Sequence, residues 1–188
     1  MDQDAFVELL LEATTLKQMP RTGWQMRGVP GAESVAEHSF GVVFVALALA
    51  DALEDGAPTG TLDLTKVLVM ALLHDLAEVR LADLPISATR LISRPVKSEA
   101  EASAMHDLLA PLPGAERWKA LWQEFEDRTS PEGRLVRDAD KLEMMVQCLR
   151  YEQAGSRGLD DYWRNMDRWE WHNPLCAELY ARLRVLRP

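Results

Sequence analysis

The sequence predicts an all-α fold, and three observations carry that expectation. Apolar residues recur at helical spacing along most of the chain, Ser, Asp and Asn caps and early prolines mark helix starts, and no run alternates with the period of a strand. Apolar residues make up 47 % of the 188, which is too many for a disordered chain. The length suits one domain, residues 1–188, built around a single core as a bundle of about seven or eight helices.

The elements follow in order. Phe6, Leu9, Leu10, Ala13 and Leu16 place a helix over residues 4–17. Met19 to Gly31 is broken by Pro20, Gly23, Gly28, Pro30 and Gly31, and its Arg21, Trp24 and Arg27 make it a candidate binding loop. Ser34-Val-Ala-Glu37 reads as a capping box opening a helix to about Leu53. Residues 40–50 of that helix are apolar nearly all round, so it belongs at the centre, and Asp55-Gly-Ala-Pro58 ends it. Asp63 or Thr61 caps a third helix, from about Leu64 to Val79. Leu84-Pro85 and Arg94-Pro95 bracket an irregular connection, followed by helices near 97–110 and 115–127. Ser130-Pro131-Glu132 opens a helix that stops at Gly155, Leu159 to Trp169 reads as helical, and Asn173-Pro174 opens the last helix, to about Val185.

Composition excludes several functions. A net charge of −9 disfavours nucleic-acid binding, which depends on a basic patch, though a metal ion and an arginine or two can reverse the potential inside a cleft. The strongly apolar stretch Phe40–Ala50 falls short of the ~20 residues a bilayer requires, and the acidic start, Met1-Asp2-Gln3-Asp4, is unlike a secretory signal. A cytoplasmic protein with no membrane and no nucleic-acid partner is expected. Cys148 and Cys176 have neither zinc-ligand spacing nor a disulfide framework.

The chemistry concentrates in Leu72-Leu73-His74-Asp75-Leu76-Ala77-Glu78. A carboxylate inside an apolar helix must be paired, hydrogen-bonded or on a metal, and on a continuous helix His74, Asp75 and Glu78 would share one sector. His38 sits one turn into another apolar helix, and Asp138-Ala-Asp140 lies inside a third. A lone buried histidine is more often a hydrogen-bonded core residue than a ligand. Three such groups on separate apolar helices, each unfavourable alone, point instead to a shared metal. Imidazole with carboxylate suits Mn, Fe, Co, Ni or Zn, and two His with two Asp leave positions open for catalysis. Asp138 and Asp140 compete for the last ligand position, and their spacing turns them to different sides of the helix.

His38, His74-Asp75 and Asp140 match the H…HD…D signature of HD-domain phosphohydrolases. Arg21-Thr-Gly-Trp24, Glu33-Ser-Val-Ala-Glu-His38-Ser, Asp83-Leu-Pro85 and Leu135-Val-Arg-Asp-Ala-Asp140-Lys extend the match over residues 7–155. Together they resemble the 5′-deoxynucleotidase subgroup, which includes bacterial YfbR-type enzymes and the eukaryotic HD-domain-containing protein 2 group. The resemblance implies a helical HD-domain bundle, usually a homodimer, with one divalent cation: Co²⁺, Mn²⁺ or similar, with Zn²⁺, Fe²⁺, Ni²⁺ and Mg²⁺ as further candidates. It implies a small-molecule substrate, a deoxyribonucleoside 5′-monophosphate cleaved to nucleoside and phosphate.

Carried over by position, the ligands would be His38, His74, Asp75 and Asp140, with Lys141 and Leu142 favouring Asp140 over Asp138. Glu78 and Asp83 would handle the water and the proton transfers, Arg21 would grip the phosphate, and Trp24 would lie by the sugar. The alternative for Asp83 is a cap or turn carboxylate, and for Arg21 and Trp24 ordinary loop residues. Thr22 and Gly23 separate Arg21 from Trp24, as in the eukaryotic-like branch, whereas some bacterial members have Arg followed directly by Trp. Glu126 matches an acid common in the subgroup without an evident role.

Two other readings compete. A hydrolase of nucleoside triphosphates or cyclic nucleotides should carry more cleft cations than Arg21 and Arg27, and a non-catalytic metal protein would need neither Glu78 nor Asp83. His106 and His172 fall outside the signature, and Trp163, Trp169 and Trp171 with Tyr162 read as packing. Lys97, Glu99 and Glu101 read as solvated helix charge.

Overall fold

The computed structural model describes residues 2–54, 62–89 and 91–188. Among these the regular structure is helical: α1 (Gln3–Ala13), a 3₁₀ turn (Thr14–Lys17), α2 (Thr22–Gln25), α3 (Val35–Glu54), α4 (Leu64–Leu73), α5 (Glu78–Leu81), α6 (Ile86–Thr89), α7 (Arg94–Leu109), α8 (Ala115–Asp127), α9 (Pro131–Gln153), α10 (Asp160–Met166) and α11 (Pro174–Val185). The seven longest, with the seven-residue α10, account for the seven or eight helices that periodicity predicts. The excess is three single turns, α2, α5 and α6, too short to leave a periodic signature.

The helix starts follow the caps. Ser34 and Glu37 form the reciprocal box, with the Ser34 amide donating to Glu37 Oε2 at 2.6 Å and the Glu37 amide to Ser34 Oγ at 3.2 Å. Asp63, Ser130 and Asn173 each accept a first-turn amide. Asp55-Gly-Ala-Pro58 and the alternative cap Thr61 lie outside the described residues.

Helix α9 is the axis of the fold, with α3, α4, α8, α10 and α11 packed around it. Val42, Ala46 and Leu49 of α3, Val67 and Met70 of α4, and Val136, Ala139, Leu142 and Met145 of α9 fill the main core. Full burial of each large aliphatic side chain contributes ~1.5–3 kcal/mol. A second cluster, around Met105, Leu109 and Trp122, joins α7 and α8 to the end of α4.

Helix α3 is longer in its apolar character than the 40–50 stretch. Val35–Leu53 has a mean hydropathy of 1.5 and would span a bilayer by length and composition alone. It packs against α4 and α9 and carries the fully buried His38, which is the behaviour of a core helix. Its outer side shows Phe40 and Phe44 at 75 % and 63 % exposure.

The third helix departs from expectation. It does not run from Leu64 to Val79 but stops at Leu73. Through the following turns the bonds tighten to a three-residue step: Leu76 N–H to Leu73 O, Glu78 N–H to Asp75 O and Val79 N–H to Leu76 O. The reason is chemical, since His74 turns its Nδ1–H onto the Ala71 carbonyl at 2.8 Å. Beyond α5, Ala82 takes φ 61° and ψ 165°, a region that is essentially glycine's and costs an alanine ~1–3 kcal/mol. That residue aims Asp83.

Candidate metal centre and its cleft

Three helical elements deliver the donor atoms. His38 comes from the first turn of α3, His74 and Asp75 from the break after α4, and Asp140 from the middle of α9. His38 Nε2 lies 3.4 Å from His74 Nε2, 3.4 Å from Asp140 Oδ1 and 3.7 Å from Asp75 Oδ2, and His74 Nε2 lies 3.2 Å from Asp75 Oδ2. Donors about 2.0–2.2 Å from one ion are separated by roughly 3–3.5 Å; His38, His74 and Asp140 present donor atoms within 4.8 Å of one another and suit a first-row cation, with Asp75 Oδ2 beside both imidazoles.

The hydrogen bonds at the two Nδ1 atoms favour the fit. His74 Nδ1 faces the Ala71 carbonyl, which can only accept, so the proton is on Nδ1. His38 Nδ1 donates to Glu143 Oε2 at 2.5 Å. Both Nε2 lone pairs therefore point at each other and at two carboxylates, an arrangement that is repulsive until a cation or a proton enters it. Burial and Arg21 oppose a charge on His38, but its hydrogen bonds with Asp140 and Glu143 and the charge of Asp75 prevail and push it up to about 9. Burial would raise Asp75 and Asp140 as well; His74, Arg21 and His38 hold Asp75 low, and Lys141 and His38 hold Asp140 low. The pocket thus keeps its carboxylates ionised and collects positive charge.

The remaining predicted residues line a cleft of about 580 Å³ that opens over Asp75 and Asp140. Arg21 Nη1 reaches Asp75 Oδ2 at 2.8 Å, and the Thr22 amide donates to Asp83 Oδ2 at 2.6 Å. The Arg21 loop and the Asp83 segment are thereby clamped together over the donors. Glu78 has one carboxylate oxygen, Oε2, buried without a hydrogen-bond partner. Burial, with Asp75 and Asp83 adding to it, pushes Glu78 up to about 9.

Trp24, which the resemblance implies lies by the sugar, lines the same cleft. Its indole is 2 % exposed, with the N–H spent on Glu33 Oε1 at 2.8 Å and one face covered by Tyr162. It is set into the lining of the cleft with little of its surface exposed. Lys97 departs from expectation: it lines the cleft, ion-paired with Glu101, so it is not plain solvated charge. Arg137, Lys141 and Arg164 add to the cations there beyond Arg21 and Arg27.

Other residues find their places. Asp138 is 0 % exposed and turns away from the donors, accepting from the His172 amide, His172 Nδ1 and the Asn173 amide, each at 2.9 Å. His106 is exposed and meets Lys119. Glu126 holds Arg137 at 3.1 Å, and that guanidinium lies 4.0 Å over the Phe125 ring, which in turn packs edge-on to His74. Trp163 packs in the core, as expected. Glu143, which meets His38 Nδ1, was not among the residues the sequence singled out, and Glu33, quoted only as part of the His38 motif, accepts from the Trp24 indole. Glu143 was within reach, because it stands one helical turn from Asp140 and so shares its face.

Known proteins share this architecture. The model of the HD domain matches residues 13–168. The 5′-deoxynucleotidase HDDC2 of Dictyostelium discoideum is 30 % identical over 95 % of this chain and 96 % of its own, and that of Danio rerio is 32 % identical over 80 % and 71 %. A crystal structure of a Pyrococcus horikoshii protein superposes with a TM-score of 0.77 at 40 % identity, covering 94 % of this chain and 99 % of that one. Helical order, the convergent His and Asp donors and these matches agree that the chain belongs to the HD-domain family.

Proposed function

We propose that this chain is a divalent-metal-dependent phosphomonoesterase that cleaves deoxyribonucleoside 5′-monophosphates to nucleoside and phosphate. One observation carries most of the weight. Two imidazole Nε2 atoms and two carboxylates converge beside a cleft whose lining holds Arg21, Glu78 and Asp83. The names of the relatives point the same way.

His38, His74, Asp75 and Asp140 would hold the cation, Co²⁺, Mn²⁺ or a similar first-row ion, since these donors are shared by many. When bound, it would polarise a phosphoryl oxygen and acidify a water. Arg21 binds the phosphate oxygens and neutralises charge as the ester breaks. Glu78, raised to about 9 in the cation-free cleft, would give up its proton when a cation binds beside it, and its unpartnered oxygen would then orient the attacking water and take a proton from it. Asp83, pinned by the Thr22 amide, would pass a proton to the departing 5′-oxygen.

The single-domain reading of residues 1–188 belongs to the same proposal. So does a homodimer, supported by the exposed Phe40, Phe44 and Leu47 on one side of α3. The two buried free cysteines suit a reducing cytoplasm.

The test is phosphate release from a panel of deoxy- and ribonucleoside 5′-monophosphates with Mn²⁺ or Co²⁺, using Asp140→Ala as control. Release from deoxynucleotides that disappears in the variant supports the reading. Release from triphosphates or cyclic nucleotides alone overturns it.

A further inference from the structure

The two aspartates of the donor cluster meet their basic partners in different ways. Asp75 turns a single oxygen, Oδ2, both to the imidazoles, 3.2 Å from His74 Nε2 and 3.7 Å from His38 Nε2, and to Arg21 Nη1 at 2.8 Å. Asp140 divides these contacts between its oxygens. Oδ1 lies on the donor side, 3.4 Å from His38 Nε2, and Oδ2 accepts from Lys141 Nζ at 2.8 Å. Successive helical residues point about 100° apart, so Lys141 reaches Asp140 only by folding its long stem back along α9. An aromatic seat favours that fold. The ammonium lies 5.5 Å from the centroid of the Trp169 ring, inside the ~6 Å over which an indole face attracts a cation. The pair is also sheltered, with the Asp140 side chain 7 % and that of Lys141 24 % exposed, and a charge-assisted hydrogen bond is strong in such surroundings.

We infer that Lys141, seated over Trp169, is a positioning residue that reserves Asp140 Oδ2 and so makes Asp140 a one-oxygen ligand. This rests on the donor cluster being a metal centre, not on the identity of the substrate. A carboxylate can give a cation one oxygen or two, and each oxygen given fills a coordination position. With Oδ2 engaged by Lys141, Asp140 fills one, and a position stays open for water. Without the ammonium, Oδ2 is free to turn onto the cation beside Oδ1 and displace that water. The second oxygen adds attraction, so the cation is held no more weakly while the open position is lost. Arg21 cannot substitute for Lys141, because it is committed to the other aspartate.

The experiment uses the Mn²⁺-loaded full chain as wild type, Lys141→Met and Lys141→Arg. Water-proton relaxation counts the waters on bound Mn²⁺, titration gives the Mn²⁺ affinity, and phosphate release from a deoxynucleoside 5′-monophosphate gives kcat and KM. Lys141→Met keeps the stem and loses the charge. It is expected to lose about one Mn²⁺-bound water, to bind Mn²⁺ at least as tightly as wild type, and to lower kcat about tenfold at nearly unchanged KM. Lys141→Arg, whose guanidinium can donate to Oδ2 and lie over an indole, is expected to restore the water count. Should Lys141→Met fail to fold in thermal unfolding with chelator, Lys141→Ala reads the same quantities. An unchanged water count in the charge-free variant overturns the inference, whether the loss then falls on KM, as for a phosphate contact, or on Mn²⁺ affinity, as for plain ion pairing. A wild type that binds Mn²⁺ but cleaves no monophosphate removes the nucleotidase reading, and the water count still decides the inference. A wild type that binds no Mn²⁺ removes both.

Discussion

Gly41 offers the sharpest test of how the metal centre is held. It lies inside α3, three residues after His38, and Glu143 of α9 folds directly over it. A Cβ at this position would stand 2.5 Å from Glu143 Oε1, 2.8 Å from its Cγ and 2.9 Å from its Cδ. Carbon atoms settle at ~3.5–4.0 Å, so in Gly41→Ala the root of the Glu143 side chain has to move by roughly 1 Å. Glu143 is the acceptor for His38 Nδ1–H at 2.5 Å, and that bond fixes both the tautomer and the ring plane. Loss of such a partner lowers metal affinity about 10- to 100-fold, or ~1.4–2.7 kcal/mol. On helix propensity alone the same substitution gains ~0.5–1 kcal/mol. The two effects oppose each other and are read by different assays. Thermal unfolding in chelator should place Gly41→Ala within about 1 kcal/mol of wild type, while calorimetric titration with Mn²⁺ shows the weaker binding. Glu143→Ala should lose affinity to a similar degree, and adding Gly41→Ala to it should cost little more, since both act on one bond. A Gly41→Ala protein that binds Mn²⁺ as tightly as wild type would refute the claim that Glu143 positions His38.

Further expectations follow from strain and charge. Ala82→Gly relieves a glycine-only conformation and should stabilise the protein by ~1 kcal/mol in urea unfolding while lowering kcat, because Asp83 is less firmly aimed. Glu33 is pushed up to about 7 by burial, with Glu143 adding to it, from an ordinary 4.5. A carboxyl raised in the folded state costs nothing below pH 4.5 and most above pH 7, so its effect is a stability that falls across that window by up to about 3 kcal/mol. Glu33→Gln, whose amide oxygen still accepts from Trp24, should flatten the fall in chelated protein, and an unchanged pH profile would count against it. His38, held near 9, carries a proton at pH 7 in the cation-free protein. With Glu78 also raised to about 9, Mn²⁺ uptake should release about one to two protons, measured by calorimetry in buffers of different ionisation enthalpy.

The fold was readable because its signals are local. Caps at Ser34, Asp63, Ser130 and Asn173 and apolar spacing locate the long helices within a few residues. Single turns such as α2 and α5 depend on tertiary contacts, so periodicity passes over them, and the break at His74 depends on a side chain bonding backwards onto Ala71. The donor residues were legible because a polar group in an apolar helix is conspicuous. The residues that aim them were less so. Glu143 sits among charged neighbours on α9. Trp24 shows the converse: its motif is intact, but the burial of its ring is a matter of three dimensions.

Asp138 and Asp140 occupy one stretch of α9 and face opposite ways, one toward the donor cluster and one onto the backbone of residues 172 and 173. A helix gripped at adjacent positions on opposite sides cannot rotate or slide without breaking a contact on one of them. The C-terminal segment therefore acts as an angular reference for the ligand: while His172 and Asn173 are seated, the azimuth of Asp140 is fixed. Detaching α11 would leave a fully buried carboxylate with nothing to satisfy it, and α9 would relax by turning that charge toward water. The chain's last helix thus guards the alignment of a centre to which it contributes no atom.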